Sequence, residues 1–372
     1  MTINTEIAWR DRAQRLAAEL ASVDALRSSD WQTTFTEVPR HHFVPEFYAQ
    51  DGPGPWTKVD SSTPERWLDA VYSNAPLVTK IDAAGRPMSS SSQPSAMARM
   101  LEMLDMRAGH RVLEIGTGTG FNTALLAHRL GDENVASVDL DIELVDSARQ
   151  RLDAIGRHPV LSASDGVHGL PTHAPYDGII ATCAVPKIPW AWVEQLSPGG
   201  MVLTDLEMPG NAGNLVLLTS DGHSLSGRFI SRKINFMAMR HKDTAEITRA
   251  PRATDSIQRW TRAPAQPWSD TPVAWFLAAF HLPAGVVQGV RFDPDTREPV
   301  AGRLSGPDGS WAEVEFAADG DRRRMREAGP TALWAAVEAA HARWMALGQP
   351  GWERFGLTVE QERQEIWLDR AD

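Results

Sequence analysis

The sequence predicts an α/β chain built on an open, mostly parallel, doubly wound sheet, and three stretches predict it. The first is residues 111–139, RVLEIGTGTGFNTALLAHRLGDENVASVD, which reads as strand, glycine-rich turn, helix and a second strand ending on an acid. The second is the alternation of apolar runs with segments of helical period that continues to residue 206. The third is Asp221-Gly222 between the apolar runs 214–219 and 225–230. That pairing is a hairpin signal, and it closes the parallel sheet with antiparallel strands.

Ahead of the first stretch, residues 6–29 place Ile7, Leu16, Leu20, Val23 and Leu26 on one face of an amphipathic helix. Pro39 and Pro45 break any long helix between 31 and 48. His41 and His42 are adjacent and lack a ligand partner at metal spacing, so they read as a packed pair in a loop. Residues 51–66, DGPGPWTKVDSSTPER, and 85–94, GRPMSSSSQP, read as polar loops, with a short strand at Leu77–Ile81 between them. Residues 95–106 follow as a helix with Met97, Met100, Leu101 and Leu104 together.

Val112–Ile115 has the β-branched, apolar character of a buried parallel strand. Gly116, Gly118 and Gly120 permit a tight turn and a close backbone approach to a ligand. Thr119 or Asn122 is the expected cap of the next helix. Asp139 ends the second strand, at the edge where open α/β sheets bind ligands. A helix over 142–155, a strand over 159–162, Asp165-Gly166, and strands at 176–182 and 201–206 complete the pattern, the last two separated by a helix and a turn at 197–200.

Beyond 241 the chain turns polar and proline-rich. It then gives short strands over 272–318, a helix over 331–346 and two strands over 355–368. Three parts follow: 1–110, a core at 111–240, and a smaller α+β part at 241–372. Eight of the fourteen tryptophans lie in the last part, as filling for a small core or as an aromatic surface for a peptide.

Net charge is −11, which argues against duplex nucleic acid as a partner. Cys183 is the only cysteine, so neither an internal disulfide nor a multi-cysteine zinc site is expected. The first residues carry acids and no secretory apolar core, and no run approaches ~18 apolar residues. The expectation is a cytoplasmic protein with no membrane partner, of open oligomeric state.

The glycine spacing departs from a dinucleotide fingerprint: the third glycine comes one residue early, with Phe121 in its slot. With Glu114 the pattern is ExGxGxG, which resembles motif I of the Rossmann-like class I S-adenosylmethionine (SAM) methyltransferases. Further motifs sit in order: VPRHHFVPE at 38–46, SSSQP at 90–94, DG at 165–166, PYDGIIATCAVPKIP at 175–189 and LSPGG at 196–200. Across residues 10–240 the chain resembles the protein-L-isoaspartate O-methyltransferase family. The tail after 240 has no counterpart in that family's short members.

The resemblance implies a seven-stranded sheet and SAM as methyl donor, with S-adenosyl-L-homocysteine (SAH) as product. It implies Asp139, beside Leu140, for the ribose hydroxyls, and Asp165 with Gly166 for adenine. It places Glu114, Gly116, Thr117, Gly118, Gly120 and Thr182 around the amino-acid part. The family's Thr-Ile-Ser acceptor motif aligns with Ser90-Ser91-Ser92, so Ser92 and Ser90 take the catalytic positions. Ser91, Gln93, Ala184 and Val185 flank the substrate. The acceptor is an Asp or isoAsp carboxylate in a peptide or protein, and its methyl ester then closes to a succinimide. Cys183 reads as a packed small residue.

Departures cluster on the acceptor side, at 51–66, 85–92 and the tail. In this the chain resembles homologues from actinobacterial peptide-maturation systems that act on lanthipeptides and ATP-grasp-made cyclic peptides. Tailoring of a constrained ribosomal peptide is therefore expected over general repair of proteins. The tail would recognise the peptide, with Arg322, Arg323, Arg324 and Arg326 meeting acidic residues. A non-catalytic SAM-binding partner protein and a small-molecule methyltransferase are the rival readings.

Overall fold

The computed structural model describes residues 3–50, 52, 54–241 and 248–369. The N-terminal segment is α1 (Ile3–Ser22), α2 (Ser29–Glu37) and α3 (Arg40–Phe43). The single expected helix over 6–29 is thus interrupted. Asp24 adopts φ +53° and the Ser28 hydroxyl caps α2 by accepting from Trp31 N. Leu16, Leu20 and Leu26 are buried as expected, Val23 is exposed in the turn, and the Ile7 side chain lies outside those described.

Next come β1 (Glu46–Ala49), β2 (Thr57–Asp60), α4 (Pro64–Val71), β3 (Leu77–Ile81), β4 (Pro87–Ser91) and α5 (Pro94–Leu104). The four strands form an antiparallel sheet in the order β2-β1-β3-β4. Both expected polar loops therefore carry regular structure. The serine run is a strand because Leu77 and Val78 pair with Ser91 and Ser90, and its β-propensity is overridden by that partner.

The central sheet contains β5 (Val112–Ile115), β6 (Val135–Asp139), β7 (Val160–Ala163), β8 (Tyr176–Val185), β9 (Leu196–Leu206), β10 (Leu215–Ser220) and β11 (Leu225–Phe229). Helices α6 (Phe121–Leu130), α7 (Ile142–Asp153) and α8 (Trp190–Glu194) connect the parallel part. Strands β5 to β9 pair in parallel, and the expected hairpin β10–β11 is antiparallel. The expected turn at 197–200 is an irregularity inside β9, whose register jumps from Tyr176↔Leu196 to Gly178↔Met201.

The tail holds β12 (Ser256–Thr261), α9 (Pro267–Asp270), α10 (Pro272–Ala279), β13 (Val287–Phe292), β14 (Pro299–Ser305), β15 (Trp311–Asp319), β16 (Arg322–Ala328) and α11 (Leu333–Ala346), then β17 (Phe355–Val359) and β18 (Gln364–Leu368). Strands β12 to β16 form their own antiparallel sheet. The last two extend the central one, giving β18-β17-β11-β10-β9-β8-β5-β6-β7. The seven expected strands are all there, and two from the tail cover the exposed edge of β11. Among the described residues no helix is long and apolar enough to cross a membrane.

Helix α10 joins the two parts. It is apolar on all sides, and its neighbours Trp275 and Phe276 face different cores: Trp275 the tail core with Trp334 and Leu304, Phe276 the core beneath the central sheet. Phe276 meets Trp352 at 4.9 Å between ring centroids, and Trp352 meets Phe229 at 5.8 Å. Most tail tryptophans are accordingly filling; Trp260 is the exposed one, at 40%. Truncating Trp352 to alanine removes a ring shared by both parts and should cost about 3–5 kcal/mol. Urea unfolding should show the loss, with fluorescence and far-UV circular dichroism midpoints falling together.

Candidate functional site

A cavity of about 660 Å³ lies at the carboxyl ends of β5, β6 and β8, roofed by β4 and the start of α5. The glycine turn forms its floor. Gly116 has φ +97°, and a Cβ there would sit 2.7 Å from Thr182 Oγ1. That hydroxyl donates to the carbonyls of Gly116 (2.8 Å) and Ile115 (3.3 Å), locking the turn to β8. Gly120 is the left-handed N-cap of α6, and a Cβ there would meet Ala148 Cβ at 2.9 Å. Its role is helix packing, and it does not line the cavity. Thr119, one residue before the Gly120 cap, accepts from Phe121 N at 3.4 Å, as expected of a capping hydroxyl, whereas Asn122 lies within the helix.

Asp139 is held from both sides. Its Oδ2 accepts from Gly118 N at 2.9 Å and its Oδ1 from Asp141 N at 3.1 Å. Each oxygen keeps a lone pair for a further donor, the pattern a ribose diol requires. Leu140, Thr117 and Gly118 line the cavity beside it. Gly166 also lines it, and a Cβ there would lie 2.6 Å from Ile115 Cγ2. Asp165 stands behind the wall, accepting from Val167 N and facing His241 Nδ1 at 3.1 Å.

Glu114 is fully buried. Asn122 Nδ2 donates to its Oε1 at 2.8 Å, Ser137 Oγ to its Oε2 at 2.7 Å, and Thr123 Oγ1 also to Oε2. Burial without a cation pushes its carboxyl up to about 7, against the pull of these three donors. Asn122 lines the cavity, and its Oδ1 has no partner among the described residues. An acceptor so placed suits an ammonium, so these residues fit the amino-acid part of SAM.

The acceptor wall is the serine strand. Its alternation buries Ser89 and Ser91 and leaves Ser90 and Ser92 half-exposed. Arg40, fully buried at the head of α3, fixes this register. Its Nη2 donates to Ser91 Oγ (3.2 Å) and Ser92 O (3.2 Å), and its Nη1 to the carbonyls of Val71 (2.7 Å) and Ser73 (3.1 Å). Burial lowers its guanidinium to about 10. The Ser91 hydroxyl is thus a structural partner of Arg40. Gln93 lines the cavity and donates to Asn74 O. Ala184 and Val185 are buried in β8 and do not line the cavity, whereas Cys183 does. Desolvation, with Asp139, Asp205 and Glu114 nearby, pushes the Cys183 thiol up to about 12, so it stays protonated.

The third wall was not foreseen. Residues 233–240 leave β11 and run along the cavity. Ala184 N donates to Met237 O (2.8 Å), Met239 N to Ala184 O (2.7 Å), and Arg240 Nη2 to Met88 O (3.1 Å). At the other end Phe236 N donates to Asp205 Oδ2 (2.8 Å) and Ile234 N to Asn214 Oδ1 (2.9 Å). Burial pushes the Asp205 carboxyl up to about 7. The sequence signal for this wall is faint: two polar residues, Asp205 and Asn214, at the ends of otherwise apolar strands.

A doubly wound sheet closed by a hairpin, with a glycine turn and a strand-end aspartate at one cavity, defines a class I SAM-dependent methyltransferase. Residues 11–237 match the model of the protein-L-isoaspartate(D-aspartate) O-methyltransferase family, and the chain belongs to that family. It is similar to the protein-L-isoaspartate O-methyltransferase of Methanopyrus kandleri, 34% identical over 198 residues, covering 52% of this chain and 76% of the relative. The one from Ignicoccus hospitalis is 39% identical over 203 residues, covering 54% and 84%. A solved structure described as a protein-L-isoaspartate O-methyltransferase shares the fold at TM-score 0.55 and 22% identity, over 96% of this chain and 100% of its own. That match runs into 241–372, so the tail is not without a structural counterpart.

The Glu114 carboxyl carries a pH dependence. Its folded value stands above the unfolded 4.5, so its contribution to stability is most favourable below 4.5 and is lost as pH rises through about 7. Glu114→Gln removes that loss. Relative to the native protein, the variant should gain on the order of 2–3 kcal/mol between pH 5 and pH 8 in urea titrations.

Proposed function

We propose that the protein methylates the free carboxylate of an isoaspartyl residue in a peptide or protein, and that it does so in general repair. The observation that carries this reading is the joint cavity: residues suited to SAM on one wall and the half-exposed hydroxyls of Ser90 and Ser92 on the facing one. SAM supplies a methyl group on a sulfonium. The acceptor carboxylate is already ionised at neutral pH, so no general base is needed. A carboxylate oxygen bonds the methyl carbon, the carbon–sulfur bond breaks, and its electron pair stays on sulfur. Ser92 and Ser90 orient the acceptor by donating to it, and the 233–240 wall with β4 keeps water out.

Tailoring of a constrained ribosomal peptide to an aspartimide is the second reading, favoured by the departure to Ser90-Ser91-Ser92. Repair is preferred because the cavity wall ends at Arg240, with no described residue of the tail on it. The fold match to a solved relative also extends into the tail.

The test is methyl transfer from radiolabelled SAM to matched peptides, one with an L-isoaspartyl and one with an L-aspartyl residue. Repair predicts rapid labelling of the isoaspartyl form alone. Labelling only of the aspartyl form in a macrocycle would support tailoring. Binding of SAM with no labelled product from any peptide would leave a non-catalytic binding protein. Ser92→Ala should lower kcat/KM for the isoaspartyl peptide about 10-fold or more through one lost hydrogen bond to a charged group. Full activity in that variant would remove Ser92 from the site.

A further inference from the structure

Four charged residues stand on the cavity wall: Glu114, Asp139, Lys233 and Arg240. The two carboxylates belong to the glycine turn and the end of β6, the donor side. Arg240 is bonded to Met88 O. Lys233 is the remaining cation, and no described residue accepts a hydrogen bond from it or pairs with it. It is half-buried at the head of the 233–240 wall. That end is anchored at β9 and β10 through Asp205 and Asn214, while the other end reaches Asp165 through His241. The wall thus runs from β9 to the nucleotide half of the sheet. Helix α5, which starts just after Ser92 and Gln93, packs on β8 and β9. Met88 to Ser90 lie against Arg240 and the glycine turn, so it is the Ser92 end of the serine strand, at the start of α5, that shares with Lys233 the part of the cavity away from Asp139 and Asp165.

We propose that the Lys233 ammonium binds the acceptor carboxylate, holding one oxygen while the other is left free for the methyl group, and so selects an anionic acceptor. This rests on the methyltransferase reading above and names the group that recognises the substrate's charge. A lone partly desolvated cation is unfavourable without an anion, and bringing the carboxylate to it removes that cost. Lys233 is partly withdrawn from water, and that burial lowers its ammonium from the ordinary lysine range while Asp205 opposes the shift. Asp205 is a weak counter-ion, since its own carboxyl is pushed up to about 7 and is partly neutral at neutral pH. Once the ester forms, the carboxylate charge is gone and the lysine releases the product. Lys233 is a binding residue here; it exchanges no proton.

The rival ligand of the same chemistry is the carboxylate of the donor's own methionine part. The experiment separates the two. A capped, amidated peptide whose sole anion is one isoaspartyl carboxylate is titrated calorimetrically into protein saturated with SAH, and SAH is titrated separately. Lys233→Met should weaken the peptide on the order of 10- to 100-fold, keep SAH within about twofold and raise KM more than it lowers kcat. Lys233→Arg should recover most of the peptide affinity, which loss of packing alone would not explain. Lys233→Gln gives the same comparison should methionine disturb folding, judged by thermal melting. Unchanged peptide affinity overturns the assignment, and so does a matching loss of SAH affinity, which would give Lys233 to the donor. If the native protein neither binds nor methylates the peptide, the reading beneath falls and the assignment with it.

Discussion

The acceptor half of this molecule hangs on one buried guanidinium. Arg40 lies at the head of a four-residue helix, with no ion pair to a carboxylate among the described residues, and donates to carbonyls of the 71–73 segment, to the Ser91 hydroxyl of β4 and to the Ser92 carbonyl just beyond it. A cation so deeply buried is costly unless its hydrogens are satisfied, and its Nη atoms are satisfied by two segments distant in sequence. It therefore fixes both the register of the serine strand and which hydroxyls face the cavity. Ser91 is turned to the arginine; Ser90 and Ser92 are left outward.

The donor half depends on an equally buried group of opposite sign. Glu114 gathers donors from α6 and β6 under the glycine turn and presents Asn122 to the cavity. Glu114 belongs to the central sheet and Arg40, on α3, braces the serine strand of the other sheet, and the cavity lies between these two supports. The 233–240 wall closes that space from the side. It is pinned by Ala184, which the sequence suggested as a substrate contact and which contributes backbone bonds instead.

Much of the donor half was legible in the sequence because its signals are local. A β-branched run, three glycines and an acid at a strand end lie within thirty residues, and each has its own steric or hydrogen-bonding reason. The hairpin at Asp221-Gly222 was legible for the same reason. The acceptor half was not. A run of four serines has little strand propensity, and it pairs as β4 only because Leu77 and Val78 offer it an edge. Likewise 197–200 reads as a turn locally, yet it is absorbed into β9 by pairing with β8. The strands β17 and β18 were visible as strands, but their place at the edge of the central sheet depended on β11.

The sequence by itself determined the class of sheet, its glycine turn, the acid at the end of β6 and the family to which the chain belongs. These follow from short-range sterics and from motifs whose spacing is set within one strand–turn–helix unit. Tertiary structure alone decided which serines face the cavity, where the tail's last strands lie, and that Lys233 shares a cavity with Ser92. Those depend on contacts between residues tens to more than a hundred positions apart, and no local pattern encodes them.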